Sequence, residues 1–208
     1  MKKPTCKVLF IGNSHTYYND MVFMIKYFSQ KGNSKYIIEP VIIAHGGRSL
    51  ETHRKEPEVR FNILYGGYDY IVLQQVAHPF PGKESLLRDG KEINEYIKQT
   101  NAIPVSYMTW AEKSKPENQQ LMEDAYSELA KEINGILCPV GIAWQKVSNK
   151  DVLIDLYDAD GEHANHYGSY LTACVFYSII LKNSPIGLPS KVMFEKVGEA
   201  KTATSCCG

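Results

Sequence analysis

Apolar positions fall along this chain in short runs separated by polar or amphipathic stretches. Residues 6–12, CKVLFIG, are almost continuously apolar and stop at a glycine. That pattern predicts a strand buried on both faces, as in the middle of a parallel sheet. MVFMIKYFSQKG then carries a helical pattern closed by Gly32. YIIEPVIIA, over 36–44, predicts a second strand, and Pro40 inside it points to an edge position or a bulge. SLETHRKEPEVRFNILYGG is polar and partly helical, with an interruption at Pro57. YDYIVLQ, over 68–74, reads as a third strand, followed by a loop and the helix KESLLRDGKEINEYIKQT, with a soft point at Gly90. AIPVSYMTW, over 102–110, is a fourth strand. The segment after it predicts a strong helix between Pro116 and Gly135. ILCPVGIAWQKV reads as a last short strand running into a helical turn at Pro139, and HYGSYLTACVFYSIILK as an apolar, largely buried helix. Beyond it the pattern predicts only a short helical or irregular segment.

Strands alternating with helices predict a central, mostly parallel five-stranded sheet covered by helices on both faces, a three-layer α/β/α sandwich. The length, 208 residues, suits one domain. We place it over residues 1–195 and expect 196–208 to be a disordered tail.

Composition narrows the function classes. The formal net charge is zero, which argues against a nucleic-acid or membrane-surface partner. No apolar run approaches the length of a membrane span. Five cysteines, an odd number without a CxxC pair, argue against a disulfide framework and a zinc ribbon. Cys6, Cys138 and Cys174 sit in apolar runs and read as buried side chains, while Cys206 and Cys207 are adjacent in the tail. The first apolar run is too short for a signal sequence. The default expectation is a cytoplasmic protein, with a secreted or periplasmic one the alternative if a leader preceded Met1.

In open α/β sheets, ligands bind at the carboxyl ends of the strands. Chemistry-bearing residues should therefore follow strands, however far apart they lie in sequence, and four places do. GNS follows the first strand and presents Ser14 as a nucleophile or as a helix cap. AHGGRSL follows the second, where Gly46 and Gly47 allow a backbone N–H to approach a ligand. IVLQQVAHP follows the third, where the Gln74 and Gln75 amides are candidate donors and His78 lies nearby. The fourth is DADGEHANHYGSY, in which Asp160 can accept a hydrogen bond from His163 and leave its other ring nitrogen as a base. His163 and His166 are spaced three apart, but they lack the carboxylate partner that a zinc site would want. A nucleophile, oxyanion donors and an acid–base pair at one sheet edge are the parts that acyl transfer needs.

These blocks resemble those of the SGNH (GDSL-like) hydrolases, serine esterases and acyl hydrolases with a three-layer, flavodoxin-like fold. FIGNSHT is similar to the first block, GGRS to the second and DGEH to the last. The resemblance implies a Ser14–His163–Asp160 triad acting on a small acyl ester, with no metal and no cofactor. It implies an oxyanion hole from the N–H groups of Ser14 and Gly47. Two positions depart from the family pattern. Asn13 stands where an aspartate usually precedes the serine, and LQQVAHP replaces the block that normally carries the oxyanion asparagine. Gln74 or Gln75 is expected to substitute for that asparagine, as in a bacterial branch with glutamine there. Asn13, His78, Tyr107 and Trp110 are weaker candidates for substrate contacts. An acylated carbohydrate is a substrate suggested by analogy. Acyl transfer with the same triad and a catalytically silent ligand-binding domain are the alternatives. The oligomeric state is left open.

Overall fold

Thr5–Gly12 form β1, whose residues from Val8 onward are all buried. The computed structural model describes residues 3–150, 154–196 and 199–203. A short helix α1 (Ser14–Tyr17) and a 3-10 turn (Tyr18–Asp20) lead into α2 (Met21–Lys31), which closes at Gly32. Next come β2 (Ile37–Ala44), α3 (Leu50–His53), α4 (Pro57–Tyr65) and β3 (Tyr70–Leu73). Pro57 opens α4, since the first turn of a helix does not use its N–H. α5 (Lys83–Ile97), β4 (Ile103–Met108), α6 (Asn118–Glu132), β5 (Ile136–Pro139), α7 (Val140–Ser148) and α8 (His166–Leu181) follow. α5 runs unbroken through Gly90, which packs against Leu129 of α6.

The five strands are parallel, in the order β2-β1-β3-β4-β5. Pro40 lies on the edge strand β2, opposite Val8, where a missing N–H is tolerated. The chain winds outward from β1 in both directions. A crevice therefore opens between the carboxyl ends of β1 and β3, which are level at Ile11 and Leu73.

Strand alternation sorts the apolar side chains into two cores. Val8, Phe10, Val72, Val105 and Tyr107 face α2, α7 and α8. Leu9, Ile11, Ile71, Leu73 and Met108 face the layer built from α3 to α6. Continuous apolar runs were needed because both faces of every central strand are covered. α7 is a helix of nine residues rather than a single turn, stabilised by burial of Trp144 against Trp110.

The end of the chain differs from the expectation of a helical or irregular segment. β6 (Val192–Lys196) and β7 (Glu199–Ala203) pair as an antiparallel ribbon, with Val192 buried against the α2–α8 core. Cys206 and Cys207 lie outside the described residues. Among the described residues, no helix is long and apolar enough to cross a membrane.

Candidate active site

Ser14 stands where β1 turns into α1. Gly12 is required just before it, because any side chain there would collide with Gln74 Oε1 and Thr16 Oγ1. Asn13 has extended backbone and caps α1, its Oδ1 accepting the His15 N–H at 3.1 Å. Ser14 is the first residue of α1, so its own N–H has no intrahelical acceptor.

The other half of the site lies on the loop before α8. That loop is closed on itself. Tyr157 bridges Ala164, Asn165 N–H donates to the Leu156 carbonyl at 2.9 Å, and Asp158 N–H to the His163 carbonyl at 2.8 Å. Asn165 also caps α8, with Oδ1 accepting from Tyr167 and Gly168, while its Nδ2 donates to the Asp155 and Tyr157 carbonyls. The loop tip carries Asp160 and His163.

The two halves meet. Ser14 Oγ is 2.7 Å from His163 Nε2, and His163 Nδ1 is 2.6 Å from Asp160 Oδ2. Asp160 Oδ1 accepts the N–H groups of Glu162 and His163, at 2.8 and 2.9 Å. Burial works against the Asp160 carboxylate. The Glu162 N–H, the His163 ring and the His163 N–H outweigh it and hold the pKa at about 2. Asp160 is thus ionised at neutral pH and can orient the imidazole.

Residues that the sequence reading did not single out hold His163 in place. Its ring stacks with Tyr18, at 4.4 Å between centroids, and with His15, at 4.9 Å. Asn19 has left-handed backbone, φ 53°, and its Nδ2 donates to the Ala164 carbonyl at 2.8 Å and to Ser169 Oγ at 2.9 Å. It ties the nucleophile segment to the residue after His163. The signal was present in HTYYND, where His15 and Tyr18 lie three apart on one helical turn, but nothing in the sequence named the ring they would face. Burial, reinforced by His78 and His163, lowers the His15 pKa to about 3, so this imidazole stays neutral.

The remaining candidates divide. Gly47 is exposed and left-handed, φ +70°, in the loop after β2. His78 is half-buried, with its ring 5.0 Å from His15, and borders a cavity of about 460 Å³ with Phe80, Glu112, Lys115 and Met122. Burial lowers its pKa to about 4, against the pull of Glu112. A smaller groove of about 320 Å³ runs past Asp160 and Glu162 and shares Glu112 with that cavity.

The expectations for Tyr107, Trp110 and Asn13 are corrected, and the two glutamines take the following positions. Gln74 is buried and both ends of its amide are used. Oε1 accepts Asn13 N–H at 2.8 Å and the Thr16 hydroxyl at 2.9 Å, and Nε2 donates to the Gln75 carbonyl. It braces the turn from a fully buried position. Gln75 is also buried, and its Oε1 accepts from Leu50 and Val76 at 2.8 and 3.0 Å, while its Nε2 has no hydrogen-bond partner among the described residues and keeps its donors free. Tyr107 and Trp110 are buried supports rather than pocket walls. Tyr107 donates to the His15 carbonyl at 3.1 Å, and Trp110 Nε1 to the Glu162 carbonyl at 2.8 Å. Asn13, 1% exposed, is enclosed beside Ser14 and is not open to a substrate.

His45, Glu56 and Glu58 bring one potential ligand atom each within 4.8 Å of one another. Glu56 is already engaged there by Arg48 and by buried His53, whose Nε2 lies 2.7 Å from the Gly12 carbonyl. His163 is committed to Ser14 and Asp160 and is not part of a metal pair with His166.

No family model and no curated protein matches the chain. Solved structures do. A protein from Slackia heliotrinireducens assigned as an SGNH hydrolase superposes with TM-score 0.73 at 23% identity, covering 85% of this chain and 99% of its own. A DUF4886 family protein from Bacteroides uniformis gives 0.71 at 20% identity, over 93% and 88%. A variant of an acetyl xylan esterase from Geobacillus stearothermophilus gives 0.65 at 16% identity, over 86% and 97%. Taken with the sheet order and the helical layers, these likenesses show that the chain has the three-layer fold of the SGNH hydrolases.

Proposed function

We propose that the protein is a serine ester hydrolase that acts on a short acyl ester of a hydroxyl-rich alcohol, such as an acylated carbohydrate. One observation carries the reading: the unbroken hydrogen-bonded line from Ser14 through His163 to an ionised Asp160. Serine is a weak nucleophile until a base takes its proton, and the imidazole needs an acidic partner to hold its tautomer. Ser14 Oγ attacks the ester carbonyl as its proton passes to His163 Nε2. The resulting imidazolium is stabilised by Asp160. The N–H groups of Ser14 and Gly47 hold the tetrahedral oxyanion. His163 returns the proton to the departing alcohol, and a water, activated by the same imidazole, releases the acyl group from Ser14.

The alcohol fits the side of the site near His78. Charged residues Lys83, Glu84, Glu112, Lys115 and Asp124 border the cavity there, over apolar Ala77, Ala111 and Met122, a combination suited to hydroxyls and the apolar face of a sugar ring. The likeness to an acetyl xylan esterase supports the same choice.

Fluorophosphonate labelling and hydrolysis of p-nitrophenyl acetate and an acetylated xylo-oligosaccharide, in wild type and Ser14→Ala, test the proposal. Labelling and turnover are expected in wild type alone. Equal behaviour of the two proteins would leave only a silent binding domain. Acylated acceptor in place of free acid would instead indicate acyl transfer.

A further inference from the structure

Asn13 stands where the resembled family carries an aspartate, and its surroundings give that exchange a purpose. The residue is 1% exposed and joins four segments. Its N–H donates to Gln74 Oε1 at the end of β3, and its carbonyl accepts from Thr16 in α1. Its side-chain Oδ1 accepts from His15 N–H, and Nδ2 donates to the Arg48 carbonyl at 3.0 Å. The amide orientation is fixed by chemistry, because a backbone N–H can only donate and a backbone carbonyl can only accept.

Arg48 directly follows Gly47, and its N–H closes a turn onto the His45 carbonyl at 3.2 Å. Two residues on, Leu50 N–H is held by Gln75 Oε1 at 2.8 Å. The loop after β2 is thus pinned at Arg48 by Asn13 and at Leu50 by Gln75. Gly47 itself meets nothing where a side chain would be. The direction of its N–H is therefore set by the pins at Arg48 and Leu50 that follow it and by the His45 N–H before it, which donates to the Gly12 carbonyl at 3.2 Å.

We infer that Asn13 is a positioning residue that locks the Gly47 loop against the nucleophile turn, a role that rests on the hydrolase reading above. An aspartate could not fill it. A carboxylate has no hydrogen to donate to the Arg48 carbonyl and would place a buried charge against it. The two departures from the family pattern act together. Gln74 holds the backbone of Asn13 while the side chain of Asn13 holds the loop. Restoring the family aspartate should therefore impair this protein.

The test compares Asn13→Asp and Asn13→Ala with wild type by p-nitrophenyl acetate kinetics, thermal unfolding and hydrogen exchange over residues 45–49. Asn13→Ala introduces no charge and carries the test if Asn13→Asp does not fold. We expect kcat to fall about 10- to 100-fold, in the range of a misplaced oxyanion donor, with KM changed by less than about 3-fold. Exchange in the 45–49 loop should accelerate. In a Gly47→Ala background, where the donor is already displaced, Asn13→Ala should cost less than about 3-fold more. A folded Asn13 variant with wild-type kcat, or full additivity with Gly47→Ala, overturns the inference. Wild-type protein that neither labels nor hydrolyses overturns the hydrolase reading instead.

Discussion

The ring of Tyr18 lies flat on the imidazole of His163, 4.4 Å away with 23° between the planes. His15 stacks on the same imidazole at 4.9 Å, with 26° between the planes. His163, the proposed base, is therefore held by ring stacking as well as by hydrogen bonds at its two nitrogens. Stacking of this kind is worth about 0.5–1.5 kcal/mol, or roughly 2- to 10-fold in rate if all of it is spent on orientation. Tyr18→Ala should lower kcat within that range at nearly constant KM. Tyr18→Phe, which keeps the stack, should remain within about 2-fold of wild type. Equal losses in both variants would shift the role from the ring to the hydroxyl.

Asp160 is the proposed orienting acid, and its side chain is exposed. Asp160→Asn keeps an oxygen for the Glu162 and His163 N–H groups but presents the wrong partner to Nδ1. Turnover should drop by about 10⁴-fold. The melting temperature should stay close to wild type, since no buried group loses its partner. A drop of less than 10-fold would mean that His163 needs no acidic partner.

Gln74 separates a structural role from a chemical one. Gln74→Leu strips an acceptor from the Asn13 N–H and from the buried Thr16 hydroxyl. Each unsatisfied group costs about 1–3 kcal/mol, so the urea midpoint should fall clearly. An oxyanion donor would behave differently, with kcat lost and the midpoint unchanged.

His15 makes the fold acid-sensitive. Its pKa is about 3 in the folded chain against 6.5 for an unperturbed histidine. Above about pH 6.5 both states hold it neutral and its contribution is fully present. As pH falls from there toward 3, the unfolded chain takes up a proton that the folded one refuses, and stability is lost. His78, at about 4, adds in the same direction. Denaturation midpoints measured from pH 8 to pH 4 should decline in wild type and decline less in His15→Phe. Parallel declines would remove His15 from the account.

The pattern of residues determined the layers, the five parallel strands and the edge position of Pro40, because burial on two faces writes itself into a chain as continuous apolar runs. It also pointed to Ser14, which follows a strand, and by their spacing to Asp160 and His163, which the structure places on the loop between α7 and α8 rather than after a strand. What it left undecided were the partners of each polar atom. From sequence, Gln74 and Gln75 are amides at a strand end, equally suited to give or to accept. Only the approach of Asn13 and Leu50, 61 and 25 positions away, made their oxygens the atoms in use. Tyr107 and Trp110 follow the same logic. Their place at a strand end was legible, but the face they point to depends on helices packed from elsewhere. Likewise, no local rule could put Tyr18 and His15 against the ring of His163, far along the chain. A hydrogen bond or a ring stack is a short-range relation between atoms, and the sequence states those distances only after the chain has folded back on itself.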